Sequence, residues 1–261
     1  MENAAVKTGY APVNGISMYY EIYGKGTMPL VLIHGGGSTI ETTFGTLIPL
    51  LAGFTQLIAV ELQAHGRTSD RDAPESFAQD ADDVAALLHH LKIGKADVMG
   101  FSNGGSTVLQ MAIRHPQLTN RVIAIAGATK RSGFINGFFE GMANVTIDVM
   151  PQGLKDAYLK VNPNTEGLQT MFEKDRNRMI TFQDWPDEQL QSITAPTLLM
   201  VSDKDVITIE HTAELSRLIP NASLIVLPGH HGGFIGEMGN DPSNGVLPRV
   251  TVDLVKQFLS N

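Results

Sequence analysis

What most limits the folds open to this chain is an alternation of short, wholly apolar runs with longer segments of helical period. Pro29-Leu30-Val31-Leu32-Ile33-His34 is a continuous apolar run that ends at glycines, the pattern of a strand buried on both faces. Similar runs follow at 54–62, 96–102, 121–127, 197–203 and 223–227, while 15–23 alternates like a half-buried strand. Between them, Phe77, Ala81, Val84, Leu87, Leu88 and Leu91 recur at helical spacing behind Ser76, a residue type that caps a first turn. Segments 103–114, 208–218 and about 247–259 also read as helices. Strand and helix in this order call for one α/β domain, a mostly parallel sheet covered by helices on both faces.

The rhythm breaks between residues 130 and 195, where no β-run appears and glycine, asparagine, methionine and aromatic residues take over. The expected organisation is therefore a body made of 1–129 and 196–261, with 130–195 inserted as a helical cap. Most of the insertion's large apolar residues are expected to pack the cap onto the body, with a minority lining a pocket. They are Phe134, Phe138, Phe139, Met142, Met150, Met171, Phe172, Met179 and Trp185.

Composition narrows the chemistry. With 43% hydrophobic and 18% charged residues in 261, the chain can bury a substantial core. The absence of cysteine excludes disulfides, thiolate zinc sites and a cysteine nucleophile. A net charge of −8 disfavours nucleic acid as a partner. The first residues lack a basic segment followed by an apolar one, and no apolar run approaches the ~20 residues of a membrane span. A cytoplasmic protein with no membrane span is the expectation.

Gly100-Phe101-Ser102-Asn103-Gly104 matches G-x-S-x-G where an apolar strand gives way to a helix, the strand-turn-helix setting of a nucleophile elbow. His34-Gly35-Gly36-Gly37 follows an earlier buried strand. Its backbone N–H groups can face a developing oxyanion, with Gly36 and Asn103 the preferred donors and Gly37 beside them. A serine hydroxyl needs a base, and the base an orienting acid. Asp205, with Asp203 as the rival, lies past the run 197–203; His231, with His230 as the rival, lies past 223–227. Adjacent histidines rarely aim both rings at one ion, and no H-E-x-x-H set accompanies them, so no metal is expected. His65, His89, His90, His115 and His211 match no motif and read as surface or packing residues.

Over nearly its whole length the sequence resembles the α/β-hydrolase superfamily, on the segments 34–37, 61–68, 100–104, 195–205 and 227–231. The resemblance implies an eight-stranded, mostly parallel sheet with a helical cap inserted after the sixth strand. It departs from the common D-x-x-G-x-G-x-S loop at Glu61, Ala64 and Thr68, and its histidine segment is one residue shorter than P-G-x-G-H. The expected activity is acyl transfer from a carboxylic ester to water on Ser102, Asp205 and His231, with no cofactor and a small ester-like molecule as partner. A lactonase, a carbon–carbon bond hydrolase, a cofactor-free perhydrolase and a non-catalytic receptor on the same fold are the alternatives.

Overall fold

Aliphatic residues that must hide on both faces of a strand leave a signature in the packing, and β3 carries it. In the computed structural model, which describes residues 7–238 and 245–260, Leu30 and Leu32 join the apolar cluster on one side of the sheet, whereas Val31 and Ile33 join the cluster on the other. Side chains alternate across a strand, so a run of four apolar residues serves two cores at once.

The elements in order are β1 (Lys7–Val13), β2 (Ile16–Tyr23), β3 (Leu30–Ile33), α1 (Ile40–Phe44), α2 (Ile48–Leu51), β4 (Leu57–Val60), α3 (Phe77–His90), β5 (Ala96–Phe101), α4 (Asn103–Arg114) and β6 (Thr119–Ile125). After these come α5 (Phe138–Asn144), α6 (Gln152–Val161), α7 (Thr165–Ile180), α8 (Asp187–Gln191), β7 (Thr197–Lys204), α9 (Ile209–Leu218), β8 (Ala222–His230) and α10 (Val246–Ser260). One eight-stranded sheet runs β1-β2-β4-β3-β5-β6-β7-β8. Its strands are parallel except β2, which is antiparallel to both neighbours. The fold class read from the sequence is the one observed.

Helices α3, α4 and α9 pack on the face that holds Val31 and Ile33, and α1, α2 and α10 on the other. Ser76 caps α3 as expected, its side chain accepting the Gln79 N–H. No described helix is long and apolar enough to cross a membrane.

Strand β1 is an addition to the elements expected from the sequence. Its partner strand was read alone, although Asn14 and Gly15, with φ of 43° and 88°, form the tight turn that joins two antiparallel strands. Elsewhere the strands differ at their ends: 54–62 shortens to Leu57–Val60, and 223–227 lengthens to Ala222–His230.

Between β6 and β7 the chain forms four helices and two short 3-10 turns, with no strand longer than the isolated bridge Phe134–Ile207. Arg178 of α7 reaches back to the body, donating to Asp80 at 2.7 Å and Glu75 at 2.8 Å. All three side chains are buried. Removing one partner from such a buried set costs about 3–5 kcal/mol, so this junction holds α7 firmly over α3.

Candidate active site

Ser102 occupies the turn between β5 and α4 with φ 55° and ψ −117°, a conformation costing a non-glycine residue roughly 1–3 kcal/mol. The neighbouring chain makes room for it. A Cβ on Gly100 would stand 2.0 Å from the Gly104 carbonyl oxygen, and one on Gly104 would stand 2.1 Å from the Ile33 carbonyl oxygen. Both glycines of G-x-S-x-G are therefore steric requirements of the close approach between the turn, the start of α4 and the end of β3.

His231 directly follows β8, and Asp205 directly follows β7. His231 Nε2 lies 3.0 Å from Ser102 Oγ, and His231 Nδ1 lies 2.6 Å from Asp205 Oδ1. The Asp205 side chain is fully buried, and Oδ1 also accepts the Ile207 N–H at 3.1 Å. A buried carboxylate facing Nδ1 makes that nitrogen the donor and leaves the Nε2 lone pair toward the serine hydroxyl. Burial favours the neutral ring, but the hydrogen bond and charge of Asp205 outweigh it, so the His231 pKa is raised. Phe101 packs against the ring, with centroids 4.6 Å apart.

The rivals stand outside this row. Asp203 is exposed and accepts the Gly229 N–H at 2.7 Å. His230 is exposed on β8, and its carbonyl accepts the Ser202 hydroxyl at 2.8 Å.

Gly36, Gly37 and Asn103 all line the cavity at Ser102. The N–H groups of Gly36 and Asn103 have no protein acceptor among the described residues, and Asn103 opens α4, where no intrahelical partner exists. Gly37 differs from the expectation, since its N–H donates to Asp175 Oδ2 at 2.6 Å.

Two histidines behind this loop have opposite charge states. His34 Nε2 accepts the Leu62 N–H at 3.0 Å, so its Nδ1 carries the proton facing the Gly35 carbonyl at 2.7 Å. Burial, with the neighbouring His65 charge, lowers its pKa to about 3. The ring of His65 faces oxygen at both nitrogens, Gln63 O at 2.8 Å and Asp175 Oδ2 at 3.0 Å. Burial opposes its charge most, yet the Asp175 carboxylate prevails and pushes the pKa up to about 9. Gly37 N also lies 3.3 Å from His65 Nε2, but a doubly protonated ring cannot accept, and the N–H belongs to the carboxylate.

His65 was read as a surface or packing residue and is instead half of a mostly buried ion pair. Its partner Asp175 carries no sequence signal of its own. In Glu173-Lys174-Asp175-Arg176 it looks like part of a solvated helix face, and only the tertiary approach of α7 turns it inward.

The cavity above Ser102 has a volume of about 550 Å³, within the range of small-molecule sites. Seven of the nine apolar residues noted in the insertion line it, the exceptions being Phe139 and Trp185. The expectation that only a minority would do so is corrected. Phe139 packs under the Arg131 guanidinium, and Trp185 against Phe77. Among the described residues, no three His, Asp or Glu side chains are grouped to hold a metal ion.

Comparison with known proteins agrees with this architecture. The alpha/beta hydrolase fold family matches residues 28–156. The dihydrolipoyllysine-residue acetyltransferase component of the acetoin cleaving system of Cupriavidus necator is 34% identical over 144 residues, 52% of this chain and only 37% of that protein. The chain thus matches about a third of that relative's length. The 2-hydroxy-6-oxo-6-(2'-aminophenyl)hexa-2,4-dienoic acid hydrolase of Metapseudomonas resinovorans is 26% identical over 250 residues, covering 85% of this chain and 83% of that one. A solved meta-cleavage product hydrolase of Pseudomonas fluorescens shares the fold, with a TM-score of 0.77 at 21% identity over 97% of each chain. With its sheet order, its helices on both faces and these matches, the chain has the alpha/beta hydrolase fold.

Proposed function

We propose that this α/β hydrolase cleaves a carboxylic ester through an acyl-enzyme on Ser102, with His231 as base and Asp205 as its orienting acid. The observation that carries this reading is the hydrogen-bonded row from Ser102 Oγ through His231 to Asp205, set at an apolar cavity. Ser102 Oγ attacks the ester carbonyl carbon while its proton passes to His231 Nε2. The carbonyl oxygen becomes an oxyanion that the Gly36 and Asn103 N–H groups stabilise. The carbon–oxygen bond to the alcohol then breaks, and His231 returns its proton to the departing alkoxide. Water, deprotonated by the same imidazole, attacks the acyl carbon; the bond to Ser102 Oγ then breaks, His231 returns the proton to Oγ, and the acid leaves. The insertion acts as a cap whose phenylalanine and methionine side chains receive the apolar part of the substrate.

One relative supports a second reading. The name of the Metapseudomonas protein is that of a dienoic acid hydrolase, so carbon–carbon bond cleavage on the same three residues is the alternative. A panel of p-nitrophenyl esters of graded acyl length, with lactones and vinylogous β-ketoacid dienes beside it, separates the two. Ester turnover is expected to rise with acyl length by up to about fourfold in kcat/KM per methylene that enters the cavity. Cleavage of the dienes with every ester inert would overturn the ester reading.

The charge state of His231 sets a pH dependence. A base must be neutral, and the ring's pKa is raised. Ester kcat/KM should therefore climb with pH through a value above the ordinary imidazole value of about 6.5, and fall below it. A profile that stays flat well to the acid side of that value argues against an imidazole base.

A further inference from the structure

Asp175 performs no step in the acyl transfer just described, yet its carboxylate joins three separate segments of the site. Oδ2 accepts the Gly37 N–H at 2.6 Å and the His65 ring N–H at 3.0 Å, while Oδ1 accepts from Asn103 Nδ2 at 3.0 Å. These partners sit on the loop after β3, on the loop after β4 and at the first residue of α4. Asp175 itself belongs to α7 of the insertion. The side chain is 13% exposed and lines the cavity that holds Ser102.

The neighbours leave the oxyanion loop little freedom. A Cβ on Gly36 would lie 2.5 Å from Asn103 Nδ2 and 3.0 Å from Asp175 Oδ2, so the Gly36 backbone is pressed against the same cluster. Gly36 and Asn103 are the two residues whose N–H groups are free to meet an oxyanion, and each is adjacent to, or identical with, a partner of Asp175.

We propose that Asp175 is a positioning residue, a latch whose carboxylate sets the Gly36 and Asn103 N–H groups for the oxyanion and makes that setting depend on the insertion being seated. The inference rests on the acyl-enzyme reading of Ser102. A bare carboxylate at this place would repel a developing oxyanion, and the His65 imidazolium removes that objection by pairing with it. The charged and titratable groups that face the pair are Arg178 from α7, Glu75 from the segment before α3, His34 directly after β3, and Asp80 of α3, which also binds Arg178. Burial opposes the Asp175 charge most, yet His65, then Arg178 and the Gly37 N–H, hold its carboxyl well below the usual range.

The test uses the full chain carrying Asp175→Asn or Asp175→Ala, with turnover counted per serine titrated to completion by a fluorophosphonate, so that unfolded protein does not enter the rate. Misplacing one oxyanion donor lowers kcat by about 10²–10³-fold, and partial loss of alignment should give roughly 10- to 100-fold. The loss should fall on kcat, equally for short and long acyl esters, with KM changed by less than about threefold. Wild-type kcat should also decline as pH rises through about 9, where His65 loses its proton, and Asp175→Asn should lack that decline. Should neither variant yield titratable serine, His65→Gln carries the same expectation for kcat. Wild-type kcat in these variants, a loss confined to KM for one acyl group, or an unchanged alkaline decline in Asp175→Asn would each overturn the latch. Ser102→Ala run alongside keeps the failures apart. Activity surviving in Ser102→Ala sinks the acyl-enzyme reading itself, whereas an inactive Ser102→Ala beside a fully active Asp175→Asn sinks only the latch.

Discussion

Ser102→Ala is expected to lower ester kcat/KM by about 10⁴-fold or more while leaving the melting temperature near that of the wild type. In the proposed mechanism the hydroxyl forms the covalent bond, and no water held by His231 would stand in its place with comparable alignment. The residual rate would come from the oxyanion donors and from binding alone. The fold should be indifferent, because alanine meets the same backbone strain at φ 55° and removes only an atom that faces the cavity. Activity within a few-fold of wild type would mean that Ser102 only shapes a glycine-rich turn and that the chemistry belongs elsewhere.

Asp205→Asn should cost on the order of 10⁴-fold in kcat, with Asp203→Asn changing it by no more than a few-fold. An amide at 205 can donate to His231 Nδ1, which moves the ring proton to Nε2 and points a donor, not a lone pair, at Ser102. Binding of substrate in the apolar cavity should persist, so KM should change little. Asp203 offers the control, since its carboxylate accepts the Gly229 N–H on the exposed side of the β7–β8 edge. Equal losses in the two variants, measured as kcat on the preferred ester, would show that the acid had been placed on the wrong residue.

The contrast between these two aspartates marks where sequence alone runs out. Both lie at the end of one apolar run, and the distinction depends on how far β7 continues. It extends to Lys204, with an irregularity in its pairing to β8 between Ser202 and Lys204. That shift turns Asp203 outward and leaves Asp205 inside, which no local pattern records. His230 and His231 are separated in the same way, the first ending β8 on its exposed side and the second bending in toward Asp205. Ser102 was legible because its requirements are local. Gly100 and Gly104 answer contacts within the turn and with the end of β3, and the apolar run 96–102 announces the strand that leads into it.

The insertion was harder to read for a different reason. Apolar residues are mostly core, and a sequence does not separate a methionine that fills a core from one that walls a cavity. Met150, Met171 and Met179 do both, since each is buried in an apolar cluster and each lines the cavity. Asp175 and His65 were invisible as a pair. They lie 110 residues apart, and neither has a neighbour in sequence that suggests a buried charge. Hairpin β1–β2, by contrast, has a local signal in Asn14-Gly15, although Pro12 and Gly9 weaken the strand pattern before it.

Covalent trapping addresses the central assignment most directly. The intact protein is incubated with a fluorophosphonate, digested, and the modified residue located by mass spectrometry. One adduct per chain on Ser102, absent from Ser102→Ala and abolished when a good ester substrate competes, is the predicted result. Stoichiometric labelling of another side chain that tracks the loss of ester turnover, with Ser102 left unmodified, would contradict the account.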